Sequence, residues 1–158
     1  MEYTIREIKE SEYSLLKDFL YEAIFIPDGV EPPPKSIINA PELQVYIENF
    51  GIQKHDKAFV AEVDGQIIGA VWVRIMNDYG HVDEETPSFA ISLYKEYRGK
   101  GIGTELMRKM LSTLKHSGYA KASLAVQKAN YAVRMYQNLG FNIFDENEEE
   151  YIMINDLR

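Results

Sequence analysis

Apolar and polar positions along the chain change their spacing several times, and each change predicts a new strand or helix. Alternation over residues 3–8 predicts a first strand, and an apolar stripe at helical spacing that stops before Pro27 predicts a first helix. The proline-rich segment 27–36 predicts an irregular loop, after which a second amphipathic stretch covers residues 41–50. The elements predicted after it are strands over 57–63, 66–76, 87–94 and 121–127, a long helix over 102–117, a short helix over 130–139, and a terminal strand pair over 141–145 and 151–155.

Turn and cap residues support these boundaries. Asp64-Gly65 lies between two apolar strands, which is a strong signal for a β-hairpin. Gly118 is placed to end the long helix, and Asn130 and Gly140 are favoured cap residues for the short one. The acidic run 145–150 is interpreted as a solvated turn between the last two strands.

Composition narrows the class of protein. The 158 residues are 46% hydrophobic and 12% aromatic, which fits one folded domain over 1–158 and excludes a disordered chain. With no cysteine, the chain has no disulfide, thiolate metal site or cysteine nucleophile, and three dispersed histidines do not suggest a metal site. No segment resembles a signal peptide or a membrane span, so a cytoplasmic protein without a membrane partner is expected.

The net charge narrows the range of expected partners. Seventeen basic residues stand against 25 acidic residues, a formal net charge of -8, which argues against nucleic acid as a partner because its phosphates would be repelled. A basic segment in such a protein is therefore a local exception.

That exception is the segment Tyr97–Gly103, which joins an apolar run ending at Leu93 to a helix beginning near Ile102. Its three glycines allow consecutive backbone N–H groups to approach an anion, and the helix dipole adds positive potential at the same place. Arg98 and Lys100 add two positive charges. The segment predicts a phosphate-binding turn.

Two other phosphate loops are excluded by spacing. A P-loop requires Gly-Lys followed by Ser or Thr, and the chain contains no such triplet. A dinucleotide-binding turn requires G-x-G-x-x-G, whereas Gly99, Gly101 and Gly103 alternate and Thr104 stands where the third glycine would be.

What Arg98–Gly103 resembles is the acetyl-CoA signature of the GNAT superfamily of N-acetyltransferases, [QR]-x-x-G-x-[GA], at every fixed position. A second segment, Asn130–Phe141, resembles the later block of that family, with a mid-helix tyrosine and a Gly-Phe pair before the next strand. The two blocks have the family's order and spacing. The resemblance covers about residues 57–145 well and the first 56 residues only in outline.

The resemblance implies an α/β (α+β) GNAT fold: a mixed, mostly antiparallel sheet of about seven strands flanked by about four helices. It also implies that the fourth and fifth strands run parallel and splay apart to admit the pantetheine arm of acetyl-CoA, the expected cosubstrate. No metal is implied. The residues that the resemblance assigns to acetyl-CoA are Ile91, Leu93, Arg98, Gly99, Lys100, Gly101, Ile102, Gly103, Thr104, Asn130 and Tyr136.

The implied reaction is direct attack of an amine on the thioester. Tyr136 matches the family's proton donor to the departing thiolate, although its place on the apolar side of the helix also fits a packing role. The backbone N–H of Leu93 is the expected oxyanion donor. No carboxylate lies on the fourth strand itself, so Glu85, with Glu84 beside it, is the candidate general base, unless both are solvated loop acids.

The expected acceptor is a small cationic amine or an amine of a peptide or protein. Trp72, Tyr79 and His81 are candidates to line its pocket, although a strand tryptophan also fits a core position. A non-catalytic acetyl-CoA sensor and a purely structural protein stay open as alternatives, as does a homodimer. Acids from two loops that would attract a cation are Asp28, Glu31, Asp78, Asp83, Glu84 and Glu85.

Overall fold

A computed structural model describes residues 2–158. Seven strands and four α-helices lie in the predicted order, with three short 3-10 segments at 10–15, 35–39 and 95–97. The elements are β1 (Thr4–Glu7), α1 (Leu16–Glu22), α2 (Pro41–Gln44), β2 (Lys57–Val63), β3 (Gln66–Arg74), β4 (Ser88–Leu93), α3 (Ile102–His116), β5 (Lys121–Gln127), α4 (Ala132–Asn138), β6 (Phe141–Glu146) and β7 (Glu150–Asp156).

The strands form one sheet in the order β1-β2-β3-β4-β5-β7-β6. Every neighbouring pair is antiparallel except β4 and β5, which are parallel. The predicted hairpin is present between β2 and β3, where Asp64 and Gly65 both have positive φ, as a type I′ turn requires. The predicted mixed sheet with parallel fourth and fifth strands is therefore confirmed.

Each face of the sheet packs against its own pair of helices. On one face, here called the α3/α4 face, α3 buries residues such as Leu106 and Met110 in a core that includes Tyr136 of α4. On the other, the α1/α2 face, Leu16 and Phe19 of α1 pack with Trp72 of β3. This layering follows from the period of two in the strands, because alternate side chains point to opposite faces.

The second predicted helix is shorter than its amphipathic pattern, since α2 ends at Gln44 rather than near Phe50. Tertiary contacts take the carbonyl groups that a longer helix would need. Trp72 Nε1 donates to the carbonyl of Tyr46 at 2.9 Å, and one guanidinium nitrogen of Arg74 donates to the carbonyls of Val45 and Glu48 at 3.0 and 2.8 Å. Within residues 2–158, no helix is long and apolar enough to cross a membrane.

Candidate active site

Strands β4 and β5 separate almost as soon as they meet. Their only register pair is Ser88 with Ser123, close to the start of both strands, where the Ser123 N–H donates to the carbonyl of Pro87 at 2.9 Å. Beyond this pair the two strands run on to Leu93 and Gln127 without further pairing. We call the opening that results the β4–β5 gap.

Two backbone N–H groups of β4 point into the gap. Tyr94 N–H donates to the carbonyl of Ile68 at 2.9 Å, on the side of β3. Because successive N–H groups of a strand alternate in direction, those of Leu93 and Ile91 point away from β3 and towards β5. The family resemblance assigned these two N–H groups to acetyl-CoA. Buried backbone donors of this kind need a hydrogen-bond partner.

The glycine turn lies at the open end of the gap and leads into α3. Gly99 and Gly101 have φ of +74° and +85°, in the left-handed region that favours glycine, and Gly101 is the N-cap of α3. A Cβ at either position would project into open space, with no atom within 4 Å. The first turn of a helix leaves its N–H groups without intrahelical partners, and here they are those of Ile102, Gly103 and Thr104.

Gly103 differs from the other two glycines. Its φ is not positive, and a Cβ there would make ordinary contacts with the side chains of Leu93 at 3.5 Å and Ile91 at 4.0 Å. The turn therefore requires glycine at 99 and 101, whereas position 103 has room for alanine.

The Arg98 side chain makes hydrogen bonds to other parts of the protein. Its Nε donates to the carbonyl of Leu93 at 3.0 Å, and its Nη2 donates to both the carbonyl and a carboxylate oxygen of Glu22 at 3.2 Å. Arg98 thus ties the glycine turn to the end of β4 and to the C-terminus of α1. Lys100 is exposed on the same turn. Its contribution to anion binding stays a prediction.

Asn130 and Tyr136 have different local roles. The Asn130 side-chain oxygen accepts the N–H of Ala132 at 2.9 Å, which holds the entry to α4. Tyr136 is 8% exposed and packs edge-on against Phe141, and burial raises the pKa of its phenol to about 12. The phenol is therefore protonated at neutral pH.

The residues suggested for the acceptor side separate into buried and exposed groups. Trp72 is fully buried in the α1/α2 core, so of the two places suggested for it the structure shows the core position. Tyr79 is 50% exposed, and His81 Nδ1 contacts the carbonyl of Met76 at 2.7 Å. Glu84 and Glu85 are both exposed.

Asp78, by contrast, is a largely enclosed carboxylate on the α1/α2 face. Ser88 Oγ donates to its Oδ2 at 2.5 Å. Burial raises the pKa of Asp78, and the neighbouring Ser88 hydroxyl, Gly80 N–H and Tyr46 hydroxyl only partly oppose this rise. Sequence reasoning placed Asp78 among the acidic loop residues without distinguishing it, since no local motif signals its burial.

A seven-stranded sheet with a gap between parallel neighbours, next to a glycine turn at a helix N-terminus, defines the acetyltransferase class of fold. The family described as Acetyltransferase (GNAT) family matches residues 19–141. The chain belongs to this family.

Curated relatives and a solved structure agree with the assignment. The chain is 29% identical over 91 residues to N-acetyltransferase family 8 member 2 of Rattus norvegicus, covering 57% of the chain and 40% of the relative. It is 29% identical over 111 residues to an N-alpha-acetyltransferase of Sulfurisphaera tokodaii, covering 60% of the chain and 66% of the relative. The match thus spans about two thirds or less of these relatives. The PaiA N-acetyltransferase of Thermoplasma acidophilum, solved in complex with coenzyme A, has the same fold, with a TM-score of 0.72, 19% identity and 99% of each chain covered.

Proposed function

We propose that this protein transfers the acetyl group of acetyl-CoA to a primary amine. The observation that carries the proposal is the β4–β5 gap, with the N–H groups of Ile91 and Leu93 directed into it and the glycine turn at its open end. The cosubstrate supplies an activated acyl group as a thioester. The remaining chemistry is positioning and proton transfer by the chain.

The residues fit the two ends of such a cosubstrate. The open space above Gly99 and Gly101 and the unpaired N–H groups at the start of α3 suit a pyrophosphate. The Leu93 N–H, which points into the gap, is the proposed donor to a developing oxyanion. Tyr136, protonated and on the face of the sheet that also carries α3, is the proton donor for the sulfur.

The proposed acceptor is a cationic amine, either a small molecule or an amine of a peptide. The support is electrostatic: the chain has a net charge of -8, and the loop before β4 exposes Glu84 and Glu85 near the start of that strand. Such a surface concentrates cations and repels anions.

The experiment measures coenzyme A release with three acceptors of similar length: 1,4-diaminobutane, butylamine and 4-aminobutanoate. We expect kcat/KM to fall in that order, and the preference for the diamine to shrink as salt is added. Glu84→Gln with Glu85→Gln should weaken the salt response. Binding of acetyl-CoA without amine-dependent release would favour a sensor instead, and a preference for 4-aminobutanoate would refute the cationic acceptor.

A further inference from the structure

The β4–β5 gap connects two chemically different faces of the sheet. Leu93 and Ile91 extend their side chains on the α3/α4 face, where the glycine turn and Tyr136 also lie. Ala90 packs against the core on the α1/α2 face. Ser88, two residues earlier in the strand, extends its side chain on the same face. A cosubstrate bound at α3 would therefore enter from one face, and an acceptor could reach it from the other.

Asp78 lies at the closed end of the gap on this second face. Its Oδ2 accepts the hydroxyl of Ser88, which is the β4 residue that pairs with β5. Gly80 fixes the same loop onto β5, because its carbonyl accepts Ser123 Oγ at 2.7 Å. A Cβ on Gly80 would lie only 3.0 Å from the backbone of Leu124 and Ala125, so the loop has no freedom to move closer. The carboxylate is consequently held at a defined position.

The second oxygen of this carboxylate has no partner within the protein. Asp78 Oδ1 is the one buried side-chain polar atom without a hydrogen bond in the part of the chain described, residues 2–158. The Tyr46 hydroxyl and the Gly80 N–H lie close enough to the carboxylate to lower its pKa, but neither makes a hydrogen bond of ordinary geometry to Oδ1. A buried acceptor that lacks a donor is costly, and such an atom requires an explanation.

Among residues 2–158, the ionisable groups that act on Asp78 or on its neighbour Tyr46 are acids and phenols. None of the ion pairs formed by residues 2–158 includes it. Tyr46 faces it from the segment after α2, and the pKa of that phenol is raised by burial and then by the charge of Asp78. Glu150 of β7 and Tyr79 act on the same phenol in the same direction. A positively charged nitrogen would complete this cluster.

We propose that Asp78 is the catalytic residue that binds the reacting nitrogen of the acceptor through Oδ1 and takes its proton. This rests on the acetyl transfer proposed above and assigns its general base, in place of Glu85. Ser88, which donates to Asp78, lies on the same strand as Ile91 and Leu93, whose N–H groups point into the gap. Asp78 and these donors therefore border the same opening from the α1/α2 face.

The step balances in atoms and charge. The acceptor ammonium gives one proton to Asp78, and the lone pair of the neutral amine forms the C–N bond to the thioester carbon. The C–S bond breaks with its electron pair on sulfur, and the thiolate takes the proton of Tyr136. The second proton of the nitrogen restores the phenol, and Asp78 releases its proton to water.

The test compares Asp78→Asn with the wild type and with Asp64→Asn, which removes one surface charge in the β2–β3 hairpin. We expect kcat/KM at pH 7 to fall by about 10² or more for butylamine and 1,4-diaminobutane alike, the usual effect of losing a general base. The loss should shrink at about pH 11, where most of the amine is already neutral. The dissociation constant of acetyl-CoA should not change, and Asp64→Asn should behave as the wild type.

Stability separates catalysis from a structural role. Because the folded protein raises the pKa of Asp78, its free energy of unfolding decreases as pH rises through the ordinary value for Asp towards the folded one. Asp78→Asn removes that loss, so its Tm at pH 7 should equal or exceed that of the wild type. Should Asp78→Ala be used instead, added formate should restore part of the rate.

Three results would overturn the assignment: activity of Asp78→Asn within threefold of the wild type at pH 7, an equal fractional loss at every pH, or a lowered Tm. A wild-type protein that binds acetyl-CoA but acetylates no amine would instead refute the proposed function itself. The two failures are thus distinguishable.

Discussion

Gly101 provides the sharpest test of the cosubstrate site. We predict that Gly101→Ala weakens acetyl-CoA binding at least tenfold, about 1.4 kcal/mol. The methyl group would enter the open space next to the first N–H groups of α3, where we place the pyrophosphate. A hydrogen bond to a charged group contributes about 1.5–3 kcal/mol, so displacement of a single such bond accounts for the expected loss.

The same substitution also strains the backbone, and this effect must be separated from binding. Gly101 has a φ of +85°, and an alanine in the left-handed region costs about 1–2 kcal/mol. Gly118, at the other end of α3, has a φ of +91° and equally open surroundings. Gly118→Ala should therefore lower the free energy of unfolding by a similar amount without changing the affinity for acetyl-CoA.

Gly103→Ala is the second control, because it alters the same turn without strain. Its Cβ would contact Leu93 at 3.5 Å, which is an ordinary packing distance. Calorimetric titration with acetyl-CoA and urea unfolding are measured for all three variants. If Gly101→Ala binds as tightly as Gly118→Ala, or if Gly103→Ala loses as much affinity as Gly101→Ala, the placement of the pyrophosphate is wrong.

Two further substitutions test the roles of neighbouring side chains. Tyr136→Phe keeps the buried ring, and it should lower the rate constant of acetyl transfer in a single-turnover assay by about 10² while acetyl-CoA still binds normally. A wild-type rate constant would leave Tyr136 with a packing role only. Arg98→Lys loses the fork that reaches the carbonyls of Leu93 and Glu22, and we expect a loss of about 1–2 kcal/mol in urea unfolding for those two bonds. Glu22→Gln retains both carbonyl contacts and should cost less than about 1 kcal/mol, so equal losses would show that the ion pair itself is what holds the turn.

The order of elements and the glycine turn before α3 could be predicted from the sequence because they depend on local physics. The hairpin at Asp64-Gly65 needs residues that tolerate positive φ, and the turn before α3 needs glycine at 99 and 101 for the same reason. Strand alternation and the helical stripe of α3 are likewise local periods. In each case the residues that determine the local structure lie within a few positions of it in the sequence.

The α1/α2 face, where we propose that the acceptor binds, took its form only from tertiary structure. The helix expected over 41–50 ends early because Trp72 and Arg74, far along the chain, bond its carbonyl groups. Asp78 and Glu85 are both acids of one loop, and nothing local distinguishes them. Asp78 is bonded to Ser88 in a loop that Gly80 holds against β5, whereas Glu85 stays in solvent. Burial of a charge depends on which distant strands close around it, and that is a property of the assembled sheet rather than of any segment.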